Sequence, residues 1–184
     1  MLNRFRKDLG KYKKYSGNKP TFVLLITTQG LWAIFVYRIS NSIYKSKLPI
    51  LIKKPLLVLA IIWQKWVEIV AGISLPYSAE IGSEFYIGHF GGIIINAKSV
   101  IGNNCNISQG VTIGISGKSI NRGVPIIGNN VYIGANAVVV GKITVGDNAV
   151  VGANSFVNRD IETNTTVLGI PAKKVSDNTS SDYI

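Results

Sequence analysis

From residue 81 onward the chain obeys a rule of six: an aliphatic residue, usually followed by glycine, returns at every sixth position as far as Glu162. The clearest hexads are IGSEFY from Ile81, IGHFGG from Ile87, IGNNCN from Ile101, IGNNVY from Ile127, IGANAV from Ile133, VGDNAV from Val145 and VGANSF from Val151. Six is neither the period of a helix nor a heptad. It divides by two, so the first and fifth residues of each hexad lie on one side of an extended chain. The fifth positions, among them Phe85, Cys105, Val111, Val131, Ala137, Ile143, Ala149, Ser155 and Ile161, are mostly small or apolar, so both positions face inward. Glycine at the second position (Gly82, Gly102, Gly128, Gly134, Gly146, Gly152) predicts a bend that a side chain would obstruct. Short strands alternating with corners make a solenoid. Three hexads per triangular coil put Ile127 under Val145, Ile133 under Val151, Val139 under Val157 and Ile143 under Ile161, at the ~4.8 Å spacing of a parallel sheet. Two places break the count: two residues are added after the hexad at Ile87, and eight between Ile113 and Ile127. Interruptions of a regular scaffold are where function concentrates.

Before the repeat the pattern is helical. Residues 1–20 mix lysine and arginine with Phe5, Tyr12 and Tyr15, which predicts a short basic amphipathic helix breaking at Gly17–Pro20, with a solvated arm as the alternative. Residues 21–37 carry no charge and reach the lower limit for a membrane span, but Thr27, Thr28, Gln29 and Gly30 interrupt them. A break there gives Thr28 as N-cap and a helix from about Gln29 to Lys45, with Leu31, Ile34, Phe35, Ile39 and Ile43 on one face. A second helix is expected from Pro55 to about Val70, with the proline in its first turn. After Glu162 the repeat decays through TNTTVLGIPAKKV into the polar SDNTSSDYI. The chain thus divides into a basic, apolar helical region (1–72), a β-solenoid (73–175) and a polar tail (176–184).

Charge sharpens this division. Residues 1–72 hold thirteen Lys or Arg against two acids, a net of +11, whereas residues 73–184 hold seven of each. An anionic partner therefore belongs to the helical region and not to a groove along the repeat, and a membrane surface or acidic polymer suits it better than nucleic acid. Trp32, Trp63 and Trp66 lie in that region among Lys45, Lys47, Lys53, Lys54 and Lys65, a combination fitted to peripheral membrane contact. Packing on the solenoid and on neighbouring subunits is the competing reading. One cysteine excludes an internal disulfide, and Cys105 at an inward position is a packing residue. One histidine, His89, leaves a subunit without the three or four ligands of a usual zinc site.

The motifs GISLPY (72–77), FYIGHFGGIII (85–95), NISQGVTIG (106–114), NRGVPIIGNNVYIGA (121–135) and GIPAKKV (169–175) stand in an order that resembles the hexapeptide-repeat acyltransferases. Within them the likeness is to the serine O-acetyltransferase-like group, and most of all to bacterial polysaccharide-biosynthesis O-acetyltransferases. The resemblance implies a left-handed parallel β-helix, mainly β, preceded by an α-helical region. It also implies a homotrimer or a dimer of trimers, with acetyl-CoA bound between adjacent prisms as acetyl donor and no metal required. The enzyme would work in the cytoplasm, at the inner face of the membrane if the helices touch lipid.

Acetyl transfer to a hydroxyl needs a base, a stabilised oxyanion and aligned reactants. His89 stands where the family has its catalytic histidine. The aspartates that orient that histidine and hold serine in serine acetyltransferases are replaced by Ser74 and Gly88, which favours a sugar or lipid-linked glycan acceptor over L-serine. Glu84 or a backbone carbonyl is left to orient His89. In the loop SGKSINRGVP, Arg122 is the candidate for substrate contact, and backbone N–H groups around Gly114, Ser116 and Gly117 for the oxyanion and cofactor. Ala135 and Ala153 match small residues along the family's CoA edge, and Lys173 and Lys174 are candidates for the CoA phosphates. Serine O-acetylation remains the enzymatic alternative. A trimeric module binding membrane or polysaccharide is the non-catalytic one. A zinc hydratase shares only the hexads.

Overall fold

The computed structural model describes residues 2–184. Four helices, α1 (Leu2–Tyr15), α2 (Thr21–Thr27), α3 (Gln29–Lys45) and α4 (Ile50–Ala71), precede fifteen short strands numbered in chain order. The strands stack into the three faces of a left-handed parallel β-helix. Face A holds β1 (Ile73–Ser74), β4 (Ile93–Ile95), β7 (Thr112–Gly114), β10 (Val138–Val140) and β13 (Phe156–Val157). Face B holds β2 (Glu80–Ile81), β5 (Val100–Ile101), β8 (Ile126–Ile127) and β11 (Thr144–Val145). Face C holds β3 (Tyr86–Ile87), β6 (Asn106–Ile107), β9 (Tyr132–Ile133), β12 (Val150–Val151), β14 (Thr166–Gly169) and β15 (Ala172–Ser176). Only the last two are antiparallel.

The register follows the hexads. Val145 pairs with Ile127, Val151 with Ile133 and Val139 with Val157, as predicted. Partners stand 18 residues apart where the count is regular (Ile94 and Thr112), 20 apart across the insertion (Tyr86 and Asn106) and 26 across the loop (Asn106 and Tyr132). One expected ladder is wrong: Ile161 bridges Val145, not Ile143. Six residues separate Val139 from Val145 but only four separate Val157 from Ile161, so the last coil is two residues short.

The glycines are required for a different reason than the bend. A Cβ on Gly82 would stand 2.4 Å from the carbonyl oxygen of Gly102, and one on Gly102 would stand 2.4 Å from that of Gly128, so the next coil itself excludes a side chain. The corners between faces B and C turn instead at Asn104, Asn130, Asn148 and Asn164, which adopt positive φ between 53° and 59°. Asparagine tolerates that region. Their side chains hydrogen-bond down the edge as a ladder at 2.8, 2.9 and 2.8 Å.

A parallel solenoid begins with an unpaired edge, a template for aggregation unless covered. Here helical side chains supply the missing strand partners. The Tyr37 hydroxyl donates to the Ala79 carbonyl (2.7 Å) and accepts from the Ile81 N–H (3.0 Å). The Tyr12 hydroxyl bridges the carbonyl and N–H of Ile87 in the same way, at 3.0 Å each. Buried Asp8 accepts from the Phe85 N–H (3.0 Å) and from Arg38 Nε (2.8 Å), while Arg38 also donates to the Ile81 carbonyl at 2.7 Å.

Helix α3 has the predicted bounds, and Thr28 precedes it in extended conformation, capping with its carbonyl and without a side-chain bond. Helix α4 starts five residues before the predicted Pro55, with Pro49 at the N-cap. Pro55 inside the helix forfeits one bond to the Leu51 carbonyl and is tolerated near the N-terminus. The last residues fold back on face C, where Tyr183 stacks on Tyr132 with centroids 4.6 Å apart.

Candidate active site

The two inserted residues after Ile87 make a turn, His89 to Gly92, at the corner between faces C and A. Gly91 and Gly92 have φ of 99° and 67°, conformations that side chains resist. The turn is fixed from both sides: the Gly91 N–H donates to the Ala71 carbonyl at the end of α4, and the Gly91 carbonyl accepts from the Gly110 N–H, both at 2.9 Å. His89 therefore projects, exposed, from rigid backbone.

It borders a cleft of about 430 Å³ between coil and helices. Tyr86, Gly88, His89 and Phe90 form the coil side, with Tyr12, Tyr15 and Lys19 of the first helix and its connection, and Gln29 and Gly30 at the start of α3, opposite. A Cβ on Gly30 would stand 2.6 Å from the Tyr12 hydroxyl, so glycine is what lets α3 approach the coil. The rings of Tyr12 and Tyr15 lie 4.5 and 4.6 Å from that of Tyr86. Burial pushes the Tyr12 phenol well above its ordinary range, so it stays a neutral donor. Lys19 brings a positive charge to the lining, and no carboxylate is among the lining residues.

The sequence-predicted residues fall on all three edges of the prism. The His89 turn, Gln109–Gly110, Ala135–Asn136 and Ala153–Asn154 stack on one edge, tied by Asn136 N–H to Gln109 carbonyl (2.9 Å) and Asn154 N–H to Ala135 carbonyl (2.8 Å). The β14–β15 turn meets the foot of this edge, with the Gly169 N–H donating to Ser155 Oγ at 3.2 Å. Lys173 is exposed on β15, whereas Lys174 is held by Asp177 at 2.6 Å, a hydrogen bond that raises its pKa. Gly114, Ser116, Gly117 and Arg122 lie across face A at its corner with face B, on the order of 15 Å away along the strands. There the loop closes on itself through mutual Ser116 and Gly123 backbone bonds, with Arg122 exposed. Within one chain His89 and Arg122 do not meet.

Glu84 occupies the third edge. It shares a separate cleft with Lys7, Lys11, Lys14 and Asn104 and is not among the residues lining the His89 cleft. Ser74, where the resemblance expects an aspartate, lies on β1 beside Glu68 of α4. Burial works against that carboxylate, but the hydrogen bond from Lys65, with the neighbouring Ser74 and Gln64 side chains, outweighs it and holds its pKa down. Tyr12, Tyr15, Lys19 and Tyr86 were missed as cleft residues. Tyr12 and Tyr15, three apart on one helix face, and Tyr86 at an outward strand position were the available signals. An exposed imidazole beside hydroxyls and aromatic faces can take a proton from a hydroxyl placed in the cleft.

Residues 125–159 match the family described as bacterial transferase hexapeptide (six repeats). Over 157 residues the chain is 36% identical to the serine acetyltransferase of Bacillus subtilis (strain 168), covering 85% of this chain and 69% of that one. The crystal structure of Neisseria gonorrhoeae serine acetyltransferase superposes with a TM-score of 0.82 at 32% identity, covering 95% of this chain and 64% of the other. That of serine acetyltransferase in complex with coenzyme A from Brucella abortus strain S19 does so with 0.82 at 26% identity, covering 96% and 68%. This chain spans about two thirds of the length of these relatives. All three are serine acetyltransferases, where the motifs had pointed to polysaccharide O-acetyltransferases. The chain belongs to the serine acetyltransferase family of hexapeptide-repeat transferases.

Proposed function

We propose that this protein is an O-acetyltransferase that uses acetyl-CoA as donor, with His89 taking the proton of the acceptor hydroxyl and returning it to the departing CoA thiolate. The observation that carries this reading is a rigidly mounted, exposed His89 at the head of an edge of small residues, in a chain that superposes on a CoA-bound relative. Ala135 and Ala153 leave backbone open for a pantetheine arm along that edge, and Lys173 near its foot suits the phosphates. When bound, acetyl-CoA supplies the activated thioester. Everything else is positioning and proton transfer by the chain. Because the His89 edge and the Arg122 loop flank opposite sides of face A, a site using both requires a neighbouring copy, which agrees with a homotrimer.

L-Serine is the first acceptor to consider, because it is the one the relatives' name carries. The second reading, a sugar hydroxyl, is favoured by the cleft lining. A serine ammonium finds no carboxylate among those residues, with Gly88 and Ser74 in place of the family's aspartates and Lys19 adding positive charge. The Tyr12, Tyr15 and Tyr86 rings pack on one another and make one wall of the cleft aromatic, with half-exposed Tyr15 the surface left for a sugar ring.

Thiol release from acetyl-CoA tests both, with L-serine, free sugars and lipid-linked glycans as acceptors. His89→Ala is expected to slow acceptor-dependent release by about 10²–10⁴-fold with oligomer size unchanged. Undiminished release in that variant overturns the mechanism, and the acceptor giving the higher kcat/KM decides between the two readings.

A further inference from the structure

Helix α4 has the polarity of a water-borne helix turned inside out. Its less exposed positions, recurring every three or four residues, are Lys53, Leu57, Ala60, Gln64, Val67, Glu68 and Ala71, three of the seven polar. Its exposed positions include Leu51 (85% exposed), Ile69 (83%), Leu59, Ile62 and Trp66. This apolar surface runs the length of a 22-residue helix, about 33 Å, and continues onto Phe22 and Ile26 of α2, each about two-thirds exposed. Exposed apolar surface on this scale marks an interaction site.

Two further features identify the partner. The two acids of residues 1–72 are both paired, Asp8 with Arg38 and Glu68 with Lys65, while Lys47 and Lys54 stand exposed and unpaired by any acid at the N-terminal end of the apolar helix. In a two-fold interface a second copy of the same face would bring these lysines together without a free acid between them. A bilayer with anionic headgroups answers both the apolar and the cationic parts. Between α2, α3 and α4 there also opens an apolar cleft of about 330 Å³, walled by Phe5, Leu25, Trp32, Phe35, Trp63 and Trp66. Trp32 Nε1 is bonded to the Leu25 carbonyl at 2.5 Å, and the walls are almost wholly apolar and sized for an acyl chain.

Among the described residues no single helix is long and apolar enough to cross a membrane. The pair α2–α3, bent by 94°, passes such a test by composition, but Leu31, Ile34 and Tyr37 of α3 are buried against the protein. We infer that the α2–α4 face docks on the surface of an anionic phospholipid bilayer, with α4 lying in the interface plane and an acyl chain entering the tryptophan cleft.

This inference is independent of the acetyl-transfer reading, and its test reads lipid binding, not turnover. The full chain is floated with vesicles of phosphatidylcholine alone and of phosphatidylcholine with phosphatidylglycerol. Retention by the anionic vesicles is expected, weakened on the order of 30-fold by Lys47→Gln with Lys54→Gln. Ile62→Glu with Ile69→Glu, at exposed positions, is expected to abolish retention while circular dichroism is unchanged. Brominated acyl chains should quench the tryptophan fluorescence of the native chain. No retention, or equal retention by neutral and anionic vesicles, overturns the inference. So does a lipid-free oligomer that Ile62→Glu with Ile69→Glu dissociates, which assigns the face to a second copy.

Discussion

Lys11 reaches from α1 across the open end of the solenoid, and its ammonium donates to Asn104 Oδ1 at 2.6 Å. Burial pushes its pKa down from 10.5 to about 8, against the opposing pull of Cys105, Glu84 and Asp8. The folded value lies below the unfolded one, so between about 8 and 10.5 the unfolded chain binds the extra proton. Stability contributed by this residue therefore rises with pH across that window. Urea midpoints of the native chain and Lys11→Met, measured at pH 7.5 and 9.5, should show the native chain gaining on the variant at the higher pH; a constant difference refutes the assignment. Lys11 also shows where reading residues from sequence stops. Sequence shows it only as one of several lysines of a basic amphipathic helix, and the docking of α1 onto the first coil is what removes it from water. His89 could be singled out as a candidate because its neighbours form a motif. Tyr12, Tyr15 and Lys19 were not, because they are about seventy residues distant in sequence and reach the cleft only through tertiary packing.

At the scale of elements, periodicity carried most of the information. A strict six gave the faces, the inward positions and both interruptions, because each stacked coil repeats the same environment and therefore selects the same residue types. Where the count slips by two after Val157, no motif announces it, and the Ile161 ladder was misplaced. The start of α4 was misread because proline is favoured in the first turn, while Pro49 had already begun the helix. The glycines were located correctly and explained incompletely, and two substitutions separate the coil contact from the ordinary effect of replacing a glycine. Gly102→Ala drives a Cβ to 2.4 Å from the Gly128 carbonyl oxygen and is expected to destabilise by about 1–3 kcal/mol. Gly10→Ala, exposed on α1 with nothing within 4 Å of its added Cβ, should stabilise by up to about 1 kcal/mol. Thermal unfolding of the two variants checks the signs; equal effects would remove coil contact as the reason for glycine.

For the whole molecule, the helical region and the solenoid depend on each other. The first coil lacks a strand before it, and Asp8, Tyr12, Tyr37 and Arg38 take that strand's place through hydroxyls, a carboxylate and a guanidinium. The same docking makes one wall of the His89 cleft, so the cap against edge pairing and that wall are one piece of structure. Asp8 is the most sensitive point in it. Removing its carboxylate leaves Arg38, 3% exposed, with a buried charge and no counter-ion, and leaves the Phe85 N–H without its acceptor. Breaking such a buried pair from one side costs about 3–5 kcal/mol. Asp8→Ala should therefore lower the unfolding midpoint and, by loosening α1, expose the β3 edge and promote association. Paired removal, Asp8→Leu with Arg38→Met, abolishes the orphaned charge and should recover part of the midpoint while the Phe85 N–H stays unpaired. Denaturant unfolding with light scattering distinguishes the outcomes: if the double variant is no more stable than Asp8→Ala, the buried ion pair is not what holds the cap on the coil.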